Sequence, residues 1–377
     1  MKFGENHLSY CTNVHPAECF TELCQMLSSD VPKIKSLNDW HGPMGVGLRL
    51  GAKMVQGLTT QHIDQINRIL TEHDLYVFTV NAFPYGEFQA KSVKELVYEP
   101  GWHEVERLEY TKAVAQCLVR LNGPRRLTIS TVGLGHKHLF EQEELRTEGI
   151  QNLVRIAKYL EALLQKTGKE VQLCLEPEPG TALEYTTDVI KLFEELNSQL
   201  DDRQRKHLGV CYDTCHQAIM FENPVESLRA LVTAGVGIGK MQLSNALAVK
   251  TPDLASSWHA LMEFDEPRFL HQLTSKNPWH FAMDLDEGRQ NASRFRSADE
   301  LRCHFHVPID WHGHQSLSST TQHWRDAFAF ALEQRICQHY EIETYTWSVL
   351  PAALVSEGIH AGIAREFNAA REIIQGI

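Results

Sequence analysis

Eight short apolar runs, each followed by a stretch of helical periodicity, constrain this chain more than any other feature. They cover residues 7–14, 44–50, 76–80, 127–132, 171–175, 208–213, 238–243 and 340–345. A continuous run rich in Val, Leu and Ile, too short for a helix, reads as a strand covered on both faces. Helical patterns fall between the runs, at 17–27, 60–73, 104–121, 141–166, 186–200, from Pro224, at 321–339 and at 360–374. Strands alternating with helices indicate an α/β protein with a parallel sheet. Eight such units without a Pro/Gly/Ser-rich break predict one closed (β/α)₈ barrel over residues 1–377. An open dinucleotide-binding sheet is disfavoured, because GVGIG at 235–239 lacks the fingerprint spacing and precedes a strand.

Two regions do not fit the alternation. Residues 86–103 are polar and aromatic and read as a long loop over the barrel mouth. Residues 248–301 are too many for a connection and predict a helical insertion. HFHVPID at 304–310 then predicts a hairpin strand, so that 248–312 covers the mouth before the last strand.

The balance of charge narrows the function. A formal charge of −12 with no long basic run argues against nucleic acid or an anionic membrane as partner. The first fifteen residues lack an apolar leader and no run approaches eighteen apolar residues, which indicates a cytoplasmic protein without membrane insertion. Nine scattered cysteines without a CxxC pair indicate neither a disulfide framework nor a zinc ribbon. Twenty histidines raise the expectation of a metal or acid–base site.

In a barrel of this kind chemistry collects at the carboxyl ends of the strands. VQLCLEPEPGT delivers Glu176 there, with Glu178 two residues further into the loop; LGVCYDTCHQ delivers Asp213 and, one turn on, His216. Asp213 and His216 can reach one ion, with oxygen and imidazole donors that suit Zn, Mn, Fe or Co. They can equally be a helix cap and a packed histidine. A carboxylate as deep as Glu176 needs a metal or a cation to stay charged. In YEIETYTW alternation puts Glu341 and Glu343 on one face, and Glu343 lies nearer the mouth. Two carboxylates flanking a metal, here Glu176 and Glu343, suit an isomerase or epimerase that removes a proton beside a carbonyl and returns it. His304 and His306 share a face of an extended segment and could complete a metal shell or bind substrate. Asn81 at a strand outlet, His15 and His271 are further polar candidates for substrate, and Gln242 is a single polar residue at the end of its strand. No nucleophile elbow, phosphate loop or HExxH helix is present.

These residues resemble the xylose-isomerase-like TIM-barrel superfamily. The resemblance implies a divalent-metal centre of Glu176, Asp213, His216, Gln242 and Glu343, where Gln242 replaces the usual histidine. The pieces LSYCTNVHPAE, LEPEPGT, GVCYDTCHQA, FLHQ, HFHVPID and ETYTWSVLP are similar to the EboE family of bacterial metabolite traffic proteins. That similarity implies a small-molecule metabolite and other proteins of a metabolite-export system as partners. Two functions follow as expectations: a metal-dependent isomerase or epimerase of a carbonyl or polyhydroxylated metabolite, and a non-catalytic metabolite-binding or escort protein on the same barrel.

Overall fold

The structure, a computed structural model, describes residues 1–351, 355 and 357–377. Each apolar run forms a strand of one barrel: β1 (Asn6–Tyr10), β2 (Met44–Arg49), β3 (Leu75–Asn81), β4 (Arg126–Val132), β5 (Glu170–Glu176), β6 (Leu208–Asp213), β7 (Ile238–Leu243) and β8 (His339–Ile342). All eight run parallel in chain order, and β8 pairs with both β7 and β1. Between β1 and β2 the ladder is reduced to a single bridge from Cys11 to Gly47. Gly47 has no room for a side chain, since an added Cβ would lie 1.4 Å from Glu341 Oε1. A short strand, Lys2–Phe3, turns back antiparallel onto β1.

The helices form the outer layer, and local chemistry sets their ends. Thr59 caps Thr60–Glu72, which buries Ile63, Ile66 and Leu70 at helical spacing. The longest helix, Glu143–Thr167, ends on Gly168 at φ 72°, the left-handed conformation that glycine adopts without strain. Between strands and helices lies a continuous aliphatic core that includes Val46, Val77, Ile129, Leu173 and Val210. No helix among the described residues is long and apolar enough to cross a membrane. All nine cysteines are free thiols.

Two expectations are corrected. The helical segment read at 17–27 continues to Leu37, as Phe20–Gln25, a π-turn over Met26–Asp30 and Val31–Leu37. The Val31 amide closes the wider turn on the Met26 carbonyl, and Pro32, which has no N–H to donate, follows in the first turn of the next helix. The insertion read as helical is built on an antiparallel sheet of six strands, in the spatial order His280–Ala282, Leu273–Lys276, Glu300–Val307, Asn245–Val249, Leu317–Ser319, Gly313–His314. Three short helices, Ala255–Met262, Leu285–Gln290 and Ala292–Arg296, decorate it. HFHVPID falls within this insertion as expected, but its strand is central and pairs on both sides. Helical periodicity over 248–301 is real but short-range; the strand partners are separated by long stretches of chain.

Candidate metal and active site

Three carboxylates meet at the carboxyl end of the barrel. Glu176 ends β5, Asp213 ends β6 and Glu343 follows β8, and one oxygen from each lies within 4.8 Å of the others. All three are buried. Asp213 does both things its sequence allowed. Its Oδ1 accepts from the Cys215 and His216 amides at 2.8 and 3.0 Å and from the Ser244 hydroxyl at 2.6 Å, which caps the helix Thr214–Ile219. Its Oδ2 is buried without a partner, and so is Oε2 of Glu176. Glu343 Oε1 accepts amide protons from Asn13 and Asn81 at 2.9 and 2.8 Å. Burial first, and then the Asp213 charge, raises the Glu176 carboxyl well above the ordinary range. Glu343 is raised in the same way by burial and by Glu176. Burial opposes ionisation of Asp213 too, but His216 and His306 outweigh it and hold that carboxyl below its usual value.

Three imidazoles face this cluster. His216 Nδ1 lies 3.1 Å from the Pro177 carbonyl and His306 Nδ1 lies 2.6 Å from the Glu343 carbonyl. A carbonyl oxygen only accepts, so both Nδ1 atoms carry the proton. The Gln272 amide donates to the Pro179 carbonyl at 2.8 Å, which turns its Oε1 to His304 Nδ1 at 2.6 Å and fixes that proton as well. Each Nε2 therefore presents a lone pair. His304 Nε2 nevertheless lies 3.1 Å from Nε2 of His216 and 3.1 Å from Nε2 of His306. Burial, His216 and His306 push the His304 pKa well below the ordinary value, so His304 disfavours a second proton on Nε2. Facing lone pairs beside orphaned carboxylate oxygens fit a divalent cation, with oxygen and nitrogen donors of the kind Zn, Mn, Fe or Co accept.

The remaining expected residues are placed as follows. Asn81 orients Glu343 and lines the cavity above the cluster. Gln242, the register partner of Asp213, accepts from the Cys211 thiol at 2.8 Å and does not line that cavity. His15 bonds the Tyr10 hydroxyl at 3.0 Å, away from the cavity. His271 is saturated by the His304 carbonyl and Glu266 at 2.8 and 2.9 Å, and it too lies outside. Glu178, read as the weaker choice because it sits in the loop, is buried in the cavity wall. It accepts from the Tyr98 hydroxyl at 3.0 Å and lies 3.4 Å from His304. Asn13, Gln272 and Tyr345 were not singled out by their sequence context, because their partners lie far away in the chain.

The profile of the xylose isomerase-like TIM barrel family matches residues 42–333, about three quarters of the chain. The chain belongs to that family. Three solved structures share the fold across nearly the whole length of both chains. A xylose isomerase-like TIM barrel protein from Mycobacterium smegmatis in complex with magnesium is 9% identical, with TM-score 0.56 and coverage of 100% of this chain and 99% of that one. A D-tagatose 3-epimerase-like protein is 14% identical, with TM-score 0.52 and coverage of 98% and 97%. The IOLI protein with a bound zinc atom is 12% identical, with TM-score 0.51 and coverage of 98% and 98%. No curated protein matches the sequence.

Proposed function

We propose that this protein is a divalent-metal-dependent isomerase or epimerase that moves a proton beside a carbonyl of a small metabolite. The observation that carries the reading is the set of buried, unpartnered carboxylate oxygens facing three imidazole lone pairs. A metal ion held by Glu176, Asp213, His216 and Glu343 would polarise carbonyl and hydroxyl oxygens of the substrate. Gln242 would have to release the Cys211 thiol to join them. Asn13 and Asn81 fix one oxygen of Glu343 and so orient the carboxylate that would take the proton from carbon. Glu176, the second carboxylate flanking the metal site, would return the proton. His216 and His306 keep their Nδ1 protons on backbone carbonyls and offer only acceptor nitrogens to the site. The magnesium and zinc complexes of similar barrels, and the epimerase-like one, support the reading by fold. The likeness to the EboE family supports a cytoplasmic role beside secondary-metabolite traffic, with proteins of that system as partners.

The test is deuterium wash-in from D₂O into α-hydroxycarbonyl compounds, run with elemental analysis of protein purified without chelator. Glu343→Gln is expected to retain metal and to lose about 100-fold or more in exchange rate, as loss of a positioned base does. Unchanged exchange in that variant overturns the role of Glu343. Tight binding of a metabolite with no exchange in the parent would favour escort over catalysis.

A further inference from the structure

The cavity over the carboxylates has two unlike halves. Its floor is polar: Glu176, Glu178, Glu343, His216 and His304, with the amides of Asn13 and Asn81. Its upper wall is mostly apolar and drawn from three separate segments: Phe88 and Val93 from the loop 86–103, Phe269 and Leu270 from the insertion, and the Tyr345 ring after β8, whose hydroxyl lies 3.5 Å from His304 Nε2 at the floor. Phe88, Phe269 and Tyr345 pack pairwise, with ring centroids 5.0, 5.2 and 4.9 Å apart. They form a buried aromatic cluster of their own, separate from the barrel core. The two wall segments are tied together, since the amides of Val93 and Lys94 donate to the Arg268 carbonyl at 2.7 and 3.2 Å. Among the described residues the one charged side chain in that wall, Lys94, is already engaged by Asp284 at 2.6 Å and the Glu266 carbonyl at 3.0 Å. The space between floor and wall, open mouth included, is ≈ 490 Å³.

A sugar carries a hydroxyl on nearly every carbon, and against this wall those hydroxyls would be stripped of water without gaining partners. An apolar ring would gain from the same burial. We infer that the substrate is amphipathic, with a carbonyl–hydroxyl head at the carboxylate and imidazole floor and an apolar or aromatic body against Phe88, Phe269 and Tyr345. The inference rests on the metal-site reading above only for how the head is held.

The experiment is calorimetric titration of the full-length, metal-loaded protein with three probes. Benzohydroxamic and acetohydroxamic acids share one oxygen-donor head and differ in apolar body; D-fructose is the polyol comparison. Benzohydroxamate is expected to bind at least about tenfold more tightly than acetohydroxamate, as burial of a phenyl group predicts, and more tightly than fructose. Phe88→Ala and Phe269→Ala, in different segments, should each cut the ratio of the two hydroxamate affinities to below about threefold. A ratio near one in the parent, fructose binding more tightly than benzohydroxamate, or binding of neither hydroxamate overturns the assignment. The comparison in the parent needs no variant to fold. Repeating it after chelation separates the two readings. If removing metal leaves both affinities unchanged while the ratio stays high, the metal reading fails and the substrate class stands.

Discussion

Strands β7 and β8 bury charge twice, one pleat apart, and treat it differently. At the lower level Lys240 faces Glu341, Nζ to Oε2 2.6 Å, with no exposure on either side chain. Ser130 takes a further ammonium proton at 3.2 Å, and Gly47 gives up a side chain so that Glu341 fits. Burial alone would lower the Lys240 ammonium, but Glu341 more than offsets it and keeps it charged. Two residues further along the same strands stand Gln242 and Glu343, beside Glu176 and Asp213; Lys240 acts on this upper cluster from the level below, and among the described residues the cavity floor holds no lysine or arginine of its own. The contrast teaches that the barrel can build a cation into its interior and does so where none is needed for chemistry. Where the carboxylates face a cavity, the metal ion proposed above supplies the cation from outside.

The largest expected effect breaks the lower level. Lys240→Met leaves Glu341 buried and uncompensated and should cost about 3–5 kcal/mol of unfolding free energy, measured by urea denaturation. Adding Glu341→Leu to it should recover most of that loss, because a buried pair replaced by apolar groups is often neutral. A loss below about 1 kcal/mol in the single variant would mean that the lower pair is not compensating charge.

Next in size is the response of the upper level to metal. An ion that binds only the folded chain stabilises it by about 2.7 kcal/mol at one hundred times its dissociation constant. Chelated protein titrated with Zn²⁺ or Mn²⁺ should therefore show a rising thermal midpoint, and Asp213→Ala should show little or none. The same rise in parent and variant would place the ion elsewhere.

The two levels also differ in how far they are legible in the sequence. The barrel follows from its apolar runs, and Glu176 and Asp213 follow from standing where such runs stop. Glu343 follows from alternation along YEIETYTW. Each of these is a local pattern. Lys240 stands in the plain strand IGKMQL, yet its meaning depends on Glu341, about a hundred residues further along the chain. His304 and His306 reach the cluster because Glu300–Val307 pairs on one side with Leu273–Lys276 and on the other with Asn245–Val249, a register that no local period encodes. The burial of Glu178 is illegible for a similar reason. The loop after β5 looks solvated by composition, but Tyr98 and Gln272 arrive from other parts of the chain to cover it.

A third buried carboxylate sharpens the comparison with the smallest effect. Glu366, on the C-terminal helix Ile359–Gly376, is fully buried and, among the described residues, has neither a lysine ion pair nor a metal-ligand cluster. It accepts the Ile309 amide at 3.1 Å and meets the Thr344 hydroxyl. Burial pushes its pKa up to about 8, so its compensation is a proton. An acid whose folded pKa is raised binds its proton more tightly in the folded state. Its stabilisation is complete below the unfolded pKa, near 4.5, and is lost as pH rises through that value towards 8, after which the loss levels off. Within that window one pH unit corresponds to about 1.4 kcal/mol for a single group. Between pH 6 and 7 the parent should therefore lose about 1 kcal/mol more than Glu366→Gln, whose amide carries no titrating proton, in urea unfolding followed at both pH values with chelator present. Parallel pH profiles for parent and variant would mean that Glu366 is ionised in the fold. Its burial would then require a cation, as that of Glu341 does, and the contrast between a carboxylate held by lysine and one held by a proton would fail.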